Sequence, residues 1–195
     1  QQFVRIFKGN ITHSSREGMV DHLMQHFLAE IEGRAFRIAQ IATGNREDAL
    51  DIVQDAMMKL VQKYSSHAKD EWKPLFYSIL QTRILDWHRR QSVRNRFRSW
   101  FHWNEDDDTE DFLEQQPASE ASAPDVQLQD DQFMNNLNTA LSKLPLRQQQ
   151  VFLMRVWEGM DIAETATAMQ CSQSSVKTHY ARALEKLRTQ LEHHQ

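Results

Sequence analysis

Apolar positions along the first half of the chain recur at helical spacing. From Met19 to Thr43 the residues Leu23, Phe27, Ile31, Ala35, Ile38 and Ala42 keep the three-to-four-residue rhythm of one helix face. Gly33 predicts a bend or break within that run, and Gly44 predicts its end as a glycine just past the last turn. Asn45 is a good N-cap for a second helix, with Glu47 and Asp48 in the first turn, where the helix dipole favours acids. That helix runs to about Tyr64. It buries Ala49, Ile52, Val53, Ala56, Leu60 and Tyr64 and turns Asp51, Asp55, Met58 and Gln62 to a different face. Residues 65–73 read as a loop. Pro74 then opens a third helix with Leu75, Phe76, Ile79, Leu80 and Ile84 apolar. No segment of this block shows the period-two alternation of a half-buried strand.

The stretch from Leu144 to Leu191 predicts three more helices with two short breaks. Pro145 suits a helix start, where its missing N–H costs nothing, and Val151, Phe152, Met154 and Val156 supply a buried face. Glu158-Gly159 breaks the run. Asp161 is an N-cap for a short helix whose apolar face is Ile162, Thr165, Ala166 and Met169. Gln170-Cys171-Ser172 is the second break, and Val176, Tyr180, Ala183, Leu184 and Leu187 mark a longer helix. A short helix, a tight turn and a longer helix form a helix-turn-helix, whose second helix enters the major groove of DNA. Its first turns carry Ser172, Gln173, Ser174, Ser175, Lys177, Thr178 and Arg182. Hydroxyls and amides read base edges, and Lys and Arg hold phosphates or read guanine. The same residues also fit an ordinary solvated face.

Net charge is −4, which alone argues against a nucleic-acid binder, but the distribution changes that picture. Residues 1–98 hold 16 Lys/Arg against 11 Asp/Glu, residues 99–142 hold 11 Asp/Glu and no Lys/Arg, and residues 143–195 hold 7 against 5. Two mildly basic blocks therefore flank an acidic connector. The third helix ends in His88, Arg89, Arg90, Arg94, Arg96 and Arg98, interleaved with Trp87, Phe97, Trp100, Phe101 and Trp103. Basic side chains among aromatics suit a phosphate backbone and unstacked bases. Residues 104–131, rich in acids and poor in apolar residues, form no packed core. Such a tether spans roughly 30 Å when flexible and at most roughly 95 Å when extended.

The single cysteine, Cys171, excludes an internal disulfide or a cysteine-rich zinc site, and it reads as a buried, inert thiol. No apolar run approaches the roughly 18 residues of a membrane span, and no signal peptide is evident. A reducing cytoplasm fits this composition. Residues 1–18 have weak periodicity and read as a poorly defined N-terminal extension.

The second block resembles the promoter −35-binding domain of the bacterial sigma-70 family of RNA polymerase sigma factors, of the short extracytoplasmic-function type. Leu144-Pro145, Arg147-Gln148, Val151-Phe152, Glu158-Gly159, Ala166 and Val176-Lys177-Thr178 carry the resemblance. Gln170 departs from it, standing where the family usually has a turn glycine; a non-glycine residue there calls for an uncommon backbone conformation. The first block is similar to the same family's −10-binding domain, through GNREDALDIVQDAMMKL and WKPLFYSILQTRILDWHRR. Leu75 and Thr82 depart there, where Trp and Asn are common.

The resemblance implies an all-α protein of two small helical domains, residues 19–103 and 132–195, joined by the flexible acidic linker 104–131. It implies a sigma factor that binds core RNA polymerase, through the β′ clamp helices and the β flap, and directs promoter recognition and melting. Asp51, Gln54, Asp55 and Met58 would contact polymerase. Trp72, Tyr77, Gln81, Thr82, Arg83, Arg89 and Arg90 would serve the −10 element, with Trp72 and Tyr77 acting in strand opening. Ser174, Ser175, Lys177, Thr178 and Arg182 would serve the −35 element. Promoter DNA is the second partner and an anti-sigma factor a third. No cofactor, metal, catalytic residue or membrane insertion is implied.

Two other readings compete. A self-sufficient helix-turn-helix regulator would need a ligand or phosphoacceptor domain, and the first block has no α/β pattern for one. A metal-dependent enzyme could use His22 and His26, one helical turn apart, but Leu23, Met24 and Gln25 lie between them and supply no general base.

Overall fold

The computed structural model describes residues 15–101 and 130–192, with side chains described for 22–94 and 134–191. Most of the expected N-terminal extension and of the acidic linker lies outside the described residues, though the last four residues of the extension fall in the first helix and the last two of the linker in a helix as well, and the side chains beyond Arg94 in the first block are not described. Seven helices and no strand occur among the described residues: α1 (Ser15–Thr43), α2 (Arg46–Tyr64), α3 (Lys69–Phe101), α4 (Asp130–Ser142), α5 (Leu146–Val156), α6 (Ile162–Met169) and α7 (Gln173–Glu192). The first three form one helical unit and the last four another, as an all-α chain of two parts requires.

Local chemistry sets most boundaries where expected. Gly44 is left-handed (φ 66°), and its N–H closes onto the Gln40 carbonyl at 2.8 Å. The Asn45 side chain accepts from the N–H groups of Glu47 and Asp48 at 2.8 and 3.1 Å, capping α2. Asp161 and Glu164 form a reciprocal capping box on α6. Gln170 adopts the left-handed conformation (φ 51°, ψ 47°) that its place in the turn demanded, and its N–H reaches back to the carbonyls of Ala166 and Thr167. A non-glycine residue in that region costs about 1–2 kcal/mol.

Several expectations need correction. Gly33 neither bends nor breaks α1, which is one helix of 29 residues with Gly33 exposed on it. α3 starts at Lys69, five residues before Pro74, so half the expected loop is helical. Asp70 and Glu71 favour this early start, and the Glu71 carboxylate accepts from the Ala68 N–H at 3.3 Å. Pro74 is tolerated because the carbonyl it leaves unpaired, on Asp70, sits at the exposed helix start. Helix α4 was not foreseen as an element. Leu23, Val156 and Leu184 are exposed rather than buried. The buried row of α7 runs Val176, Ala183 and Leu187, with Tyr180 and Leu191 partly buried, so Leu184 falls one position off the seam.

α1 packs on α2, and α3 on both. Phe27 meets Trp72 (ring centroids 5.8 Å apart) and Phe76 (6.5 Å), and Phe76 meets Tyr77 (5.3 Å). Each such pair adds about 0.5–1.5 kcal/mol beyond its buried area. In the second unit α5 is central. Val151, Phe152, Leu153 and Met154 are buried in succession, together with Gln148, Gln149 and Gln150. An apolar run with no polar face belongs to a helix covered all round, and α5 indeed meets α7, α6 and α1. Gln149 is anchored by donating to the Leu141 carbonyl at 2.9 Å.

The two units do not stand apart. α6 lies along α3, α1 touches α5 and α4, and the buried residues of both units form one continuous cluster.

Two substitutions test this description. A Cβ at Gly33 would meet nothing within 4 Å, so Gly33→Ala should stabilise the protein by about 0.5–1 kcal/mol in urea unfolding. Asp161→Ala removes the acceptor of the capping box and should cost about 1 kcal/mol in the same measurement.

Candidate nucleic-acid interface

The helix-turn-helix is built by α6, the left-handed Gln170 and α7. α7 is held from behind: Val176 and Ala183 are fully buried, and Tyr180 stacks on Phe152 with ring planes 26° apart. Arg155 lies over the same Tyr180 ring at 5.9 Å. This seam turns Ser174, Lys177, Thr178 and Arg182 outward, all exposed, on one side of the helix. Ser175 is half-buried instead, because it flanks the seam. Ser172 precedes the helix and caps it, accepting from the Ser175 N–H at 3.1 Å. Its hydroxyl oxygen lies 2.8 Å from those of Ser174 and Ser175. The serines therefore organise the helix start, while Lys177 and Arg182 reach furthest from it.

On the first unit, a cleft of about 300 Å³ runs between α2 and α3. Asp48, Asp51 and Asp55 line one wall, and Arg83, Arg90 and Arg94 line the other. Arg83 Nε is 3.9 Å from the Asp55 carboxylate. Arg83, expected at the −10 element, thus points toward the acidic helix. Asp51, Asp55 and Met58 are exposed and Gln54 half-buried, so this face is open. Arg89 and Arg90 are exposed as expected. Arg89 pairs with Asp86 at 3.4 Å, and Arg90 Nε donates to the Asp86 carbonyl at 3.3 Å. Thr82 is half-buried and its hydroxyl donates to the Ser78 carbonyl at 2.9 Å. His88 differs from its basic neighbours. Burial pushes its pKa below the ordinary histidine value, opposed by a hydrogen bond with the Ala42 backbone, so it adds no positive charge at neutral pH.

The largest departure concerns Trp72, Tyr77 and Gln81. They were expected on a base-reading surface, yet they are buried to within 2 % of full enclosure. The physical reason is that α3 is covered on two sides, by α1 and α2 on one and by α6 on the other. Tyr77 faces Glu158. Burial first, and the negative charge of Glu158 second, push its hydroxyl far above the ordinary tyrosine range, against a smaller opposing pull from Arg34. The Tyr77 hydroxyl interacts with the Glu158 carboxylate, which adds to that upward push, and Trp72 Nε1 has no hydrogen bond among the described residues.

In the sequence Glu158 reads only as a helix breaker. Its side chain is fully buried, and Oε1 lies 3.4 Å from Arg34 Nε on α1. Its carbonyl accepts from Lys73 Nζ at 2.5 Å. The one signal in the sequence was a carboxylate set between Trp157 and Met160, where no surface was otherwise indicated. Periodicity assigns a residue to a face of its own helix and is silent about a partner more than a hundred residues away.

His26 Nδ1 lies 3.4 Å from the Glu30 carboxylate, an exposed pair one turn apart on α1. No helix among the described residues is long and apolar enough to cross a membrane.

Residues 134–187 match the family model for sigma-70, region 4, and residues 23–94 match that for sigma-70 region 2. The chain is 29% identical over 144 residues to the ECF RNA polymerase sigma factor SigX of Bacillus subtilis (strain 168), covering 73% of this chain and 70% of that protein. It is 29% identical over 157 residues to the RNA polymerase sigma factor SigV of the same organism, covering 80% and 83%. Among solved structures it is similar in fold to the sigma factor RpoE in complex with the anti-sigma factor NepR from Bartonella quintana. The TM-score is 0.57 at 19% identity, over 86% of this chain and 98% of that one.

Cys171 lies in the turn between α6 and α7 and is half-buried rather than enclosed. Burial pushes its thiol up, against a smaller downward pull from Arg147. A raised pKa leaves less thiolate at any pH below it, so iodoacetamide should alkylate the native chain at pH 8 more slowly than the urea-unfolded chain. Equal rates would show that the turn leaves the thiol unperturbed.

Proposed function

Because the chain belongs to the sigma-70 family of RNA polymerase sigma factors, in its extracytoplasmic-function group, we propose that its two units divide promoter recognition between them. α7 reads the −35 element, and the first unit engages core polymerase and the −10 element. The observation that carries this reading is the outward row of Ser174, Lys177, Thr178 and Arg182 on a helix locked from behind by Val176, Ala183 and Tyr180. A recognition helix needs this combination of rigid backing and long polar side chains on one face. Ser175 contributes by its place at the helix start, where the helix dipole favours a phosphate, its own N–H being held by Ser172.

The open acidic face of α2, with Asp51, Gln54, Asp55 and Met58, is the proposed polymerase contact, complementary to a basic partner surface such as the β′ clamp helices. The second unit would reach the β flap. Arg89 and Arg90, with Thr82 beside them, supply contacts to the phosphate backbone near the −10 element. Trp72, Tyr77 and Gln81 lie in the interior and are left out of the direct DNA contact. The protein acts in this reading as a specificity subunit of the cytoplasmic polymerase and catalyses no reaction of its own. A protein of the anti-sigma class, the kind of partner with which RpoE of Bartonella quintana is complexed, is a further partner.

The deciding experiment is transcription from a promoter library by core polymerase with and without this protein. Promoter-specific transcripts that require both components are expected; sequence-specific DNA binding by the protein alone would favour a self-sufficient regulator instead. Lys177→Ala should relax preference at one or two −35 positions at a cost of roughly 1–3 kcal/mol. Arg182→Ala should weaken binding with little change in preference. If Lys177→Ala alters neither while circular dichroism is native, α7 is not the reading helix. Asp51→Arg places a like charge toward a basic partner and should weaken core polymerase binding by at least about tenfold; competition against a labelled sigma factor measures it.

A further inference from the structure

The cleft between α2 and α3 holds more chemistry than one ion pair uses. Its walls carry opposite charge, with Asp48, Asp51 and Asp55 on α2 and Arg83, Arg90 and Arg94 on α3. The walls do not close on each other. Arg83 Nε stands 3.9 Å from the Asp55 carboxylate and makes no hydrogen bond. No other arginine meets an acid across the cleft among the described residues. Arg90 binds the Asp86 carbonyl through Nε, which leaves its two terminal nitrogens for another acceptor.

Asp55 and Arg83 fix the register of the two walls. Only four residues, 65–68, join α2 to α3, so the helices run antiparallel. Residues earlier in α2 therefore face residues later in α3. Asp51 comes opposite the half-buried Trp87, and Asp48 comes opposite Arg90, with Arg94 one turn further on. At 1.5 Å of rise per residue, the arginine wall from Arg83 to Arg94 is about 16 Å long. Acceptors thus stand beside an indole in the middle of the cleft, and cations gather at one end.

This order of groups matches a guanine nucleotide. A carboxylate offers only acceptors. Guanine presents two adjacent donors on one edge, N1–H and the N2 amino group. Adenine presents one donor and one acceptor there, so the same carboxylate can pair with it only once. Gln54 supplies an amide donor suited to guanine O6. An indole face stacks a base, and guanidinium forks hold phosphate oxygens two at a time. We propose that the α2–α3 cleft binds a guanosine 5′-phosphate, its base on Trp87 with the donor edge on Asp51, its phosphates on Arg90 and Arg94. The cleft volume of about 300 Å³ suits one nucleotide. A continuous strand would carry successive phosphates past the acidic wall, which favours the free nucleotide over a guanine in single-stranded DNA.

An occupant would cover Asp51 and Arg90, which the function proposed above gives to polymerase and to DNA. Guanine nucleotide should therefore compete with core polymerase. That consequence rests on the proposed function; the binding itself does not.

Calorimetric titration of the full chain with guanosine, inosine and adenosine diphosphates tests the site. Guanosine diphosphate should bind at micromolar concentration, and adenosine diphosphate about tenfold or more weaker. Inosine diphosphate, which lacks the N2 amino group, should fall between them. Asp51→Asn should narrow the gap between the guanosine and adenosine ligands to about threefold or less. Arg94→Gln should weaken both by about tenfold. Asp48→Asn removes a like charge beside the phosphates and should strengthen both by about threefold. Asp51 and Arg94 are exposed and Asp48 half-buried, so circular dichroism should stay native in all three variants.

Equal affinity for guanosine and adenosine diphosphates, or a preference that Asp51→Asn leaves intact, overturns the proposal. So does a chain that binds core polymerase but no guanosine diphosphate. Single-stranded DNA with one guanine that binds more tightly than the diphosphate, and loses that advantage in Asp51→Asn, overturns the free nucleotide in favour of the strand. A chain that binds guanosine diphosphate selectively but never core polymerase supports the site and overturns the functional reading instead, so the two failures are separable.

Discussion

The structure depends on the burial of α3 from two sides. α1 and α2 cover one side through the Phe27, Trp72 and Phe76 cluster, and the α5–α6 corner and α6 cover the other. A helix enclosed in this way has little face left to give to solvent over its first half, and Trp72, Tyr77 and Gln81 are buried together. After its exposed first turn, the exposed residues are displaced to its second half, where Arg89, Arg90 and Arg94 emerge. One packing constraint thus decides both which aromatics are structural and where the basic surface begins.

The same constraint organises charge. α2 and α3 run alongside each other, so the acids of α2 meet the arginines of α3 across a shared cleft. Such a pairing at partly exposed positions contributes little stability, on the order of 0–1 kcal/mol. Its consequence is electrostatic: the acidic face of α2 and the basic face of α3 are adjacent walls of one groove.

The second unit solves a different problem. It must hold α7 rigidly while leaving one side bare. It does so by making α5 the hub, with four consecutive apolar residues and three glutamines enclosed. Buried glutamines are costly unless paired, and only part of this row is satisfied among the described residues: Gln149 through the Leu141 carbonyl, with both side-chain polar atoms of Gln150 left without a partner. The left-handed Gln170 adds a second local cost, and its side chain is the one that crosses to Ser78. Strain in the turn and the contact between units therefore meet in one residue.

How much could be read beforehand follows from the range of each force. Helix ends were legible because caps act over three or four residues: Asn45, Asp161 and Gly44 announce themselves in the local sequence and behave accordingly. So were the inner faces of α2, α6 and most of α7, because a 3.6-residue period is a property of one helix. The left-handed turn at Gln170 was also foreseeable, since the backbone there needs that conformation whatever residue occupies it. What periodicity did not reveal was every case of a helix touched from a second direction. Tyr77 and Gln81 are polar enough to suit a surface, and nothing in the local sequence encloses the three glutamines of α5. Glu158 looked like punctuation. Their burial is decided by the other helices packed around them, and only the tertiary structure brings those together, because whether a polar group is stable inside depends on the neighbours that enclose it and not on its own place in the chain.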